Sequence, residues 1–177
     1  DLECGAHYPY HEPSAHNLIR AGERPSQLHN NCSGKHTGML AVCRHKGWPT
    51  QGYTNYDHPL QELVRKVQSE FFGIELKDSA WGIDGCGIPT YSLPLLAMAR
   101  GMAQLADAQA LRSELREAVE RLNAAVIAEP RFLGGTDSFC SKVVAETEGR
   151  VLAKLGAEGV YGAWIPQSGF GIGRAHV

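Results

Sequence analysis

Two cysteines, a lysine and an aspartate carry the chemistry most open to this sequence. The run Asn30-Asn31-Cys32-Ser33-Gly34-Lys35-His36 leads into a stretch of helical periodicity. There a spacing of three puts the Cys32 thiol and the Lys35 amine on adjacent sides of one turn. A helix N-terminus favours a thiolate, a nearby ammonium favours it further, and a zinc ion deprotonates a bound thiol outright. Lys35 can join such an ion only as the neutral amine, which requires a local positive charge or desolvation. The second signal is Asp84-Gly85-Cys86-Gly87-Ile88-Pro89. Two glycines and a proline around one cysteine let the backbone make a sharp turn that presents Asp84 and Cys86 to the same place. If Cys86 approaches Cys32, two thiolates, a third ligand and a water make an open zinc site, with Asp84 holding the water or orienting a ligand. The competing reading is two small buried hydrophobes and an aspartate that only stabilises its turn.

Two familiar motifs fail at the same run. A phosphate-binding loop of the Walker A kind needs glycine where the chain has His29, and serine or threonine where it has His36. A serine nucleophile of the S-x-x-K kind needs serine where the chain has Cys32. His7, His11, His16, His29, His45 and His58 show no metal-ligand spacing and read as solvated or capping side chains. Cys140 follows Gly134-Gly135 and Asp137 at a helix start, where a thiol serves either function or helix-face packing. Cys4 and Cys43 read as structural.

These residues must be positioned by a succession of helices and short strands. A short helix capped by Ser14 is expected to reach Ala21, and a longer one to run from Ser33 to Lys46 with Gly47 as its stop. A third is expected from Asp57 and Pro59 to Phe72, then a strand within Glu75 to Ile83. Helices follow over Tyr91 to Leu105, Asp107 to Ala128 and, capped by Thr136 or Asp137, Ser138 to Thr147. Val151 to Lys154 and Val160 to Ile165 read as strands, and Gly169-Phe170-Gly171-Ile172-Gly173 as a return strand running toward Val177. This order predicts α+β, or a layered αβα domain, spanning 1–177 as one unit.

Composition narrows the function. The chain has 177 residues, 43% of them hydrophobic, enough for one core. A formal charge of −2 with no basic block gives nucleic acid no electrostatic hold. The scattered Trp48, Trp81 and Trp164 offer no stacking platform for bases. No apolar run approaches the roughly 20 residues that cross a bilayer. Five irregularly spaced cysteines argue for free or metal-bound thiols in a reducing, cytoplasmic setting.

The run His29-Asn30-Asn31-Cys32-Ser33-Gly34-Lys35-His36-Thr37-Gly38-Met39-Leu40 closely resembles the signature of the bacterial L-asparaginase II family, the Rhizobium-type thermolabile asparaginases. Leu2 to His7, Gly82 to Pro89 and Gly156 to Tyr161 resemble further family blocks, in the family's order. The resemblance implies a fold like that of serine β-lactamases and glutaminases, an αβα arrangement with an antiparallel sheet. It implies hydrolysis of L-asparagine to L-aspartate and ammonia, and a homodimer. Residue by residue it implies Cys32, Lys35 and Cys86 as ligands of Zn2+, Asp84 as the residue that holds the zinc water, His36 beside the ligand lysine, and Cys140 as a further cysteine near the site. A neutral Lys35 would then serve as base or relay as well as ligand. The family's machinery is two Ser-Lys pairs, of which the resemblance leaves only Lys35 within this stretch. The chain therefore reads as the middle and most of the C-terminal part of such an enzyme, its serine expected upstream. A non-catalytic protein that binds zinc or a small amide, and a zinc-thiolate redox sensor, are the alternatives.

Overall fold

The computed structural model describes residues 1–175. These hold seven α-helices and two small antiparallel sheets, an α+β composition. They divide into two contact units, one of residues 1–69 and 75–92, the other of residues 70–74 and the chain from Leu93 onward.

In the first unit, helix α1 (Glu12–Arg20) begins before the expected Ser14 cap. Pro13 occupies its first turn, where an absent N–H costs nothing, and the Ser14 hydroxyl pairs with His11 Nδ1 at 2.7 Å. Helix α2 (Ser33–Lys46) lies where the periodicity puts it, burying His36, Met39 and Cys43. Its start is tied by Asn30, whose Oδ1 accepts the Cys32 N–H at 2.7 Å while its Nδ2 donates to the Gly5 carbonyl at 2.6 Å. Its end is Gly47 at φ 67°, the left-handed residue whose N–H turns back to Arg44. Helix α3 (Pro59–Phe72) starts at its proline. The expected strand over Glu75 to Ile83 splits into a 3-10 turn at Leu76–Asp78 and β1 (Trp81–Ile83). β1 pairs with β2 (Pro89–Tyr91), Ile83 opposite Pro89, so Tyr91 ends a strand where a helix was expected to begin. The core here is rich in sulfur: Cys4, Met39, Cys43, Tyr53, Leu60, Cys86 and Ile88, with Cys32 packed against it.

Gly38 lies midway along α2, and a Cβ built on it would meet nothing within 4 Å. Gly38→Ala therefore removes a backbone-entropy cost without a clash and is expected to stabilise the protein by roughly 0.5–1 kcal/mol. A rise in the thermal midpoint checks this; a fall would contradict it.

In the second unit, Pro94 restricts the residue before it, so α4 (Leu95–Ala106) starts late. Helix α5 (Ser113–Ala128) starts six residues after the expected Asp107, the chain turning at Ala108 and Leu111 first. Pro130 does not simply end helical structure: as a first-turn residue it opens the short α6 (Pro130–Gly134). Helix α7 (Phe139–Glu146) is capped by Ser138, whose hydroxyl accepts the Ser141 N–H, rather than by Thr136 or Asp137. β3 (Leu152–Leu155), β4 (Tyr161–Ile165) and β5 (Phe170–Arg174) form a meander in that spatial order. The expected continuation of the return strand over His176 and Val177 lies outside the described residues.

The alternating glycines of β5 have a packing reason. Gly173 faces Gly162 across the ladder, and Gly171 faces Trp164, so all three glycines share one face of the sheet. That face lies against α4: a Cβ on Gly162 would meet Met102 Sδ at 2.5 Å and one on Gly173 would meet Met98 Cγ at 3.1 Å. Around this contact Ala106, Val126, Val144, Leu152 and Trp164 form the core. Trp164 Nε1 donates to Asn123 Oδ1 at 2.9 Å, and Asn123 in turn donates to the Leu105 carbonyl at 2.9 Å.

Candidate functional site

The first turn of α2 and the β1–β2 turn meet within the first unit. Along the turn the Gly87 N–H donates to the Asp84 carbonyl at 2.8 Å, the Asp84 N–H donates to the Ile88 carbonyl at 2.8 Å, and Gly87 takes φ 89°. Asp84 Oδ1 accepts the Gly85 N–H at 2.7 Å, which leaves Oδ2 directed elsewhere. Cys86 Sγ donates to that Oδ2 at 3.6 Å, and Lys35 Nζ stands 3.8 Å from it. Lys35 also comes within hydrogen-bonding reach of Cys86 and feels the charge of Cys32. Lys35 and Cys86, from two separate stretches, thus converge on the Asp84 carboxylate, while Cys32 packs against the core that holds Cys86 and acts on Lys35 through its charge. The side chains of Lys35 and Asp84 are 38% and 35% exposed, so the point opens to solvent while Cys86 closes its inner wall.

The electrostatics follow from this gathering. Burial works against the Lys35 ammonium, but its interactions with the Cys32 and Cys86 sulfurs and with Asp84 outweigh it and raise Lys35 above the ordinary lysine value. Burial pushes the Cys86 thiol up, and the Lys35 charge offsets part of that rise. Sulfur and carboxylate therefore already surround one positive charge, that of Lys35. A neutral Lys35 needs another cation to take over this role, as the sequence argument required.

The donor set fits zinc in kind. Two cysteine sulfurs are ligands that ion prefers, a neutral Lys35 would add a less usual nitrogen donor, and three protein donors would leave a fourth position open. Among the described residues no three His, Cys, Asp or Glu side chains gather to hold a metal. An ion here therefore depends on the Lys35 amine as its third donor.

The remaining candidates have structural partners of their own. His36 is fully buried, its Nδ1 2.6 Å from the Tyr53 hydroxyl, and burial with the neighbouring Lys35 charge holds it below the ordinary imidazole value. Cys140 lies in the second unit, 2% exposed, its sulfur accepting the Leu155 N–H at 3.2 Å and so fastening α7 to β3. Several other histidines hold backbone: His29 Nδ1 accepts the Ser26 N–H at 3.0 Å, and His58 Nδ1 the Leu60 N–H at 3.1 Å. Sequence reasoning passed over Glu3 and Tyr53, which sit behind α2. Their partners are about fifty positions apart, so no local spacing signals them.

An α+β chain thus carries a solvent-open pairing of amine, thiol and carboxylate. Over residues 1–174 the chain matches the family model for L-asparaginase II, and it belongs to that family. At family level it is an asparaginase-type amidohydrolase with a small-molecule substrate. No curated protein matches the chain. No helix among the described residues is long and apolar enough to cross a membrane.

Proposed function

We propose that the protein hydrolyses L-asparagine to L-aspartate and ammonia, with a zinc ion held by Cys32, Lys35 and Cys86. The observation that carries this reading is the convergence of Lys35 and Cys86 on the Asp84 carboxylate, from stretches about fifty residues apart, in a member of the L-asparaginase II family. When bound, the metal would polarise the substrate and orient water. A lysine whose lone pair is given to a metal has none left for a proton, so Lys35 serves as ligand here rather than as base. Asp84, with one oxygen fixed by its own turn, is placed to hold and orient water through the other. His36 supports α2 from within the core, and Cys140 fastens α7. A serine of the family's Ser-Lys machinery would attack the carboxamide carbon while its partner lysine takes the hydroxyl proton and hands it to the departing ammonia; the same lysine would then deprotonate the water that releases aspartate from the acyl-enzyme and return the proton to the serine. We infer also the thermolabile zinc-containing subtype, a β-lactamase-like layered arrangement and a homodimer. Five free cysteines support a reducing, cytoplasmic setting.

The test is ammonia release from L-asparagine by the full-length protein as purified, after chelation, and after return of zinc. Turnover that collapses with chelation and returns with zinc is expected. Full turnover without metal would remove zinc from the reaction, and no ammonia under any condition would remove asparagine.

A further inference from the structure

We propose that Tyr53 is a positioning residue of this site, its hydroxyl pinning together the two segments that bring the sulfur donors; the inference rests on the zinc reading above. Tyr53 is wholly buried in a loop that sequence alone left featureless. Its Oη accepts the Glu3 N–H at 2.8 Å and lies 2.6 Å from His36 Nδ1.

Each partner leads to one half of the donor set. On one side, the His36 N–H donates to the Cys32 carbonyl at 3.0 Å, and His36 adjoins Lys35, so a fixed imidazole fixes the turn that carries both donors. On the other side, Glu3 precedes Cys4, which is buried in the same cluster as Cys86, and the Glu3 carbonyl lies 3.7 Å from where a Cβ on Gly87 would stand. The segment that receives the hydroxyl thus backs the turn that carries Cys86.

The junction is over-determined, as a positioning device requires. The Glu3 carboxylate accepts the Gly52 N–H at 2.6 Å and the Thr54 hydroxyl at 2.8 Å, gripping the loop on both sides of Tyr53. Gln61, also fully buried, donates to the Tyr53 carbonyl at 2.8 Å. The imidazole and phenol rings meet edge to face, 5.5 Å apart at 74°. Oη accepts from Glu3 and still has its own hydrogen and a second lone pair to pair with Nδ1, the only ring nitrogen of His36 with a partner among the described residues. A phenylalanine would fill the same volume and leave the Glu3 N–H and His36 Nδ1 buried without partners.

The experiment measures zinc affinity by competition with a chromophoric chelator, together with the visible spectrum of the cobalt-substituted protein, for wild type, Tyr53→Phe, Glu3→Ala and Val64→Ala. Removing a hydrogen-bonded support of metal ligands typically weakens the metal about 10–100-fold. Tyr53→Phe is expected to fall in that range and to alter the cobalt bands. Glu3→Ala, on an exposed side chain, is expected to weaken zinc in the same direction. Val64→Ala trims the same core without touching the junction and is expected to lower the thermal midpoint with zinc affinity unchanged. Affinity within twofold of wild type in folded Tyr53→Phe overturns the inference. If that variant does not fold, unchanged affinity in Glu3→Ala overturns it. An equal loss in Val64→Ala also overturns it, since the effect would then be general loosening. A wild-type protein that takes up no zinc overturns the underlying reading, and the inference with it.

Discussion

Cys86→Ala is expected to lower zinc affinity by at least about 100-fold, the upper end of what is lost with a mere hydrogen-bond partner of a ligand. Zinc measured in dialysed protein should fall from about one ion per chain to almost none. The deleted atom is one of only three proposed donors, and no group of three His, Cys, Asp or Glu side chains among the described residues supplies another set. Cys43→Ala is the matching control. Cys43 is as deeply buried, in the same core, yet lies about three turns beyond Cys32 along α2 on the face that packs inward. It should lose stability and keep zinc. Equal zinc in wild type and Cys86→Ala would show that both sulfurs are core filler. The site also sets the sign of the pH dependence. Metal uptake must displace protons from Cys86, whose thiol burial holds up, and from Lys35, whose ammonium is held up by the neighbouring sulfurs and Asp84. Apparent affinity therefore rises with pH, about tenfold per unit for each proton released, until those groups are deprotonated without the metal.

Gly171→Ala is expected to be the most damaging single methyl in the second unit. A Cβ at that position would run into the Ala103 nitrogen and the Met102 carbonyl carbon, both backbone atoms of α4. A side chain can rotate away from such an intrusion, but a helix backbone can yield only by moving the helix off the sheet. Overpacking costs typically 1–3 kcal/mol and occasionally more. A rigid backbone obstacle puts this case at the upper end, about 3 kcal/mol, or roughly 6–12 °C in thermal midpoint for a chain of this size. Gly169→Ala separates this cause from backbone strain. Gly169 has φ +70° and open space around it, so alanine there meets only the left-handed penalty of about 1–2 kcal/mol. A midpoint for Gly171→Ala no lower than that for Gly169→Ala would mean that α4 does not rest on this face as described.

The elements most legible in the sequence are those whose limits are local. α2 ends at Gly47 and α3 begins at Pro59 because a left-handed stop and a proline in the first turn act over a few residues. The C-terminal hairpin was legible for the same reason. Where neighbouring rules compete, the expected boundaries move: Pro94 holds back α4, and Pro130 opens a short helix just beyond the expected end at Ala128. Within the site, residue types and the two turns marked Cys32, Lys35, Asp84 and Cys86. The glycine pattern of β5 marked a strand but not its purpose, since only the presence of α4 makes a bare sheet face necessary.

Sequence alone therefore determined which groups this protein can bring to chemistry, because thiol, amine and carboxylate identity and their spacing within a turn are properties of a few consecutive residues. Tertiary structure decided that Lys35 and Cys86 share one carboxylate, that His36 turns inward to Tyr53, and that Cys140 belongs to a different unit. The physical reason is range. A helix turn or tight loop is fixed by hydrogen bonds a few residues long, whereas the Glu3 to Tyr53 junction and the meeting of α2 with the β1–β2 turn span about fifty residues and exist only once a core has formed to bury them.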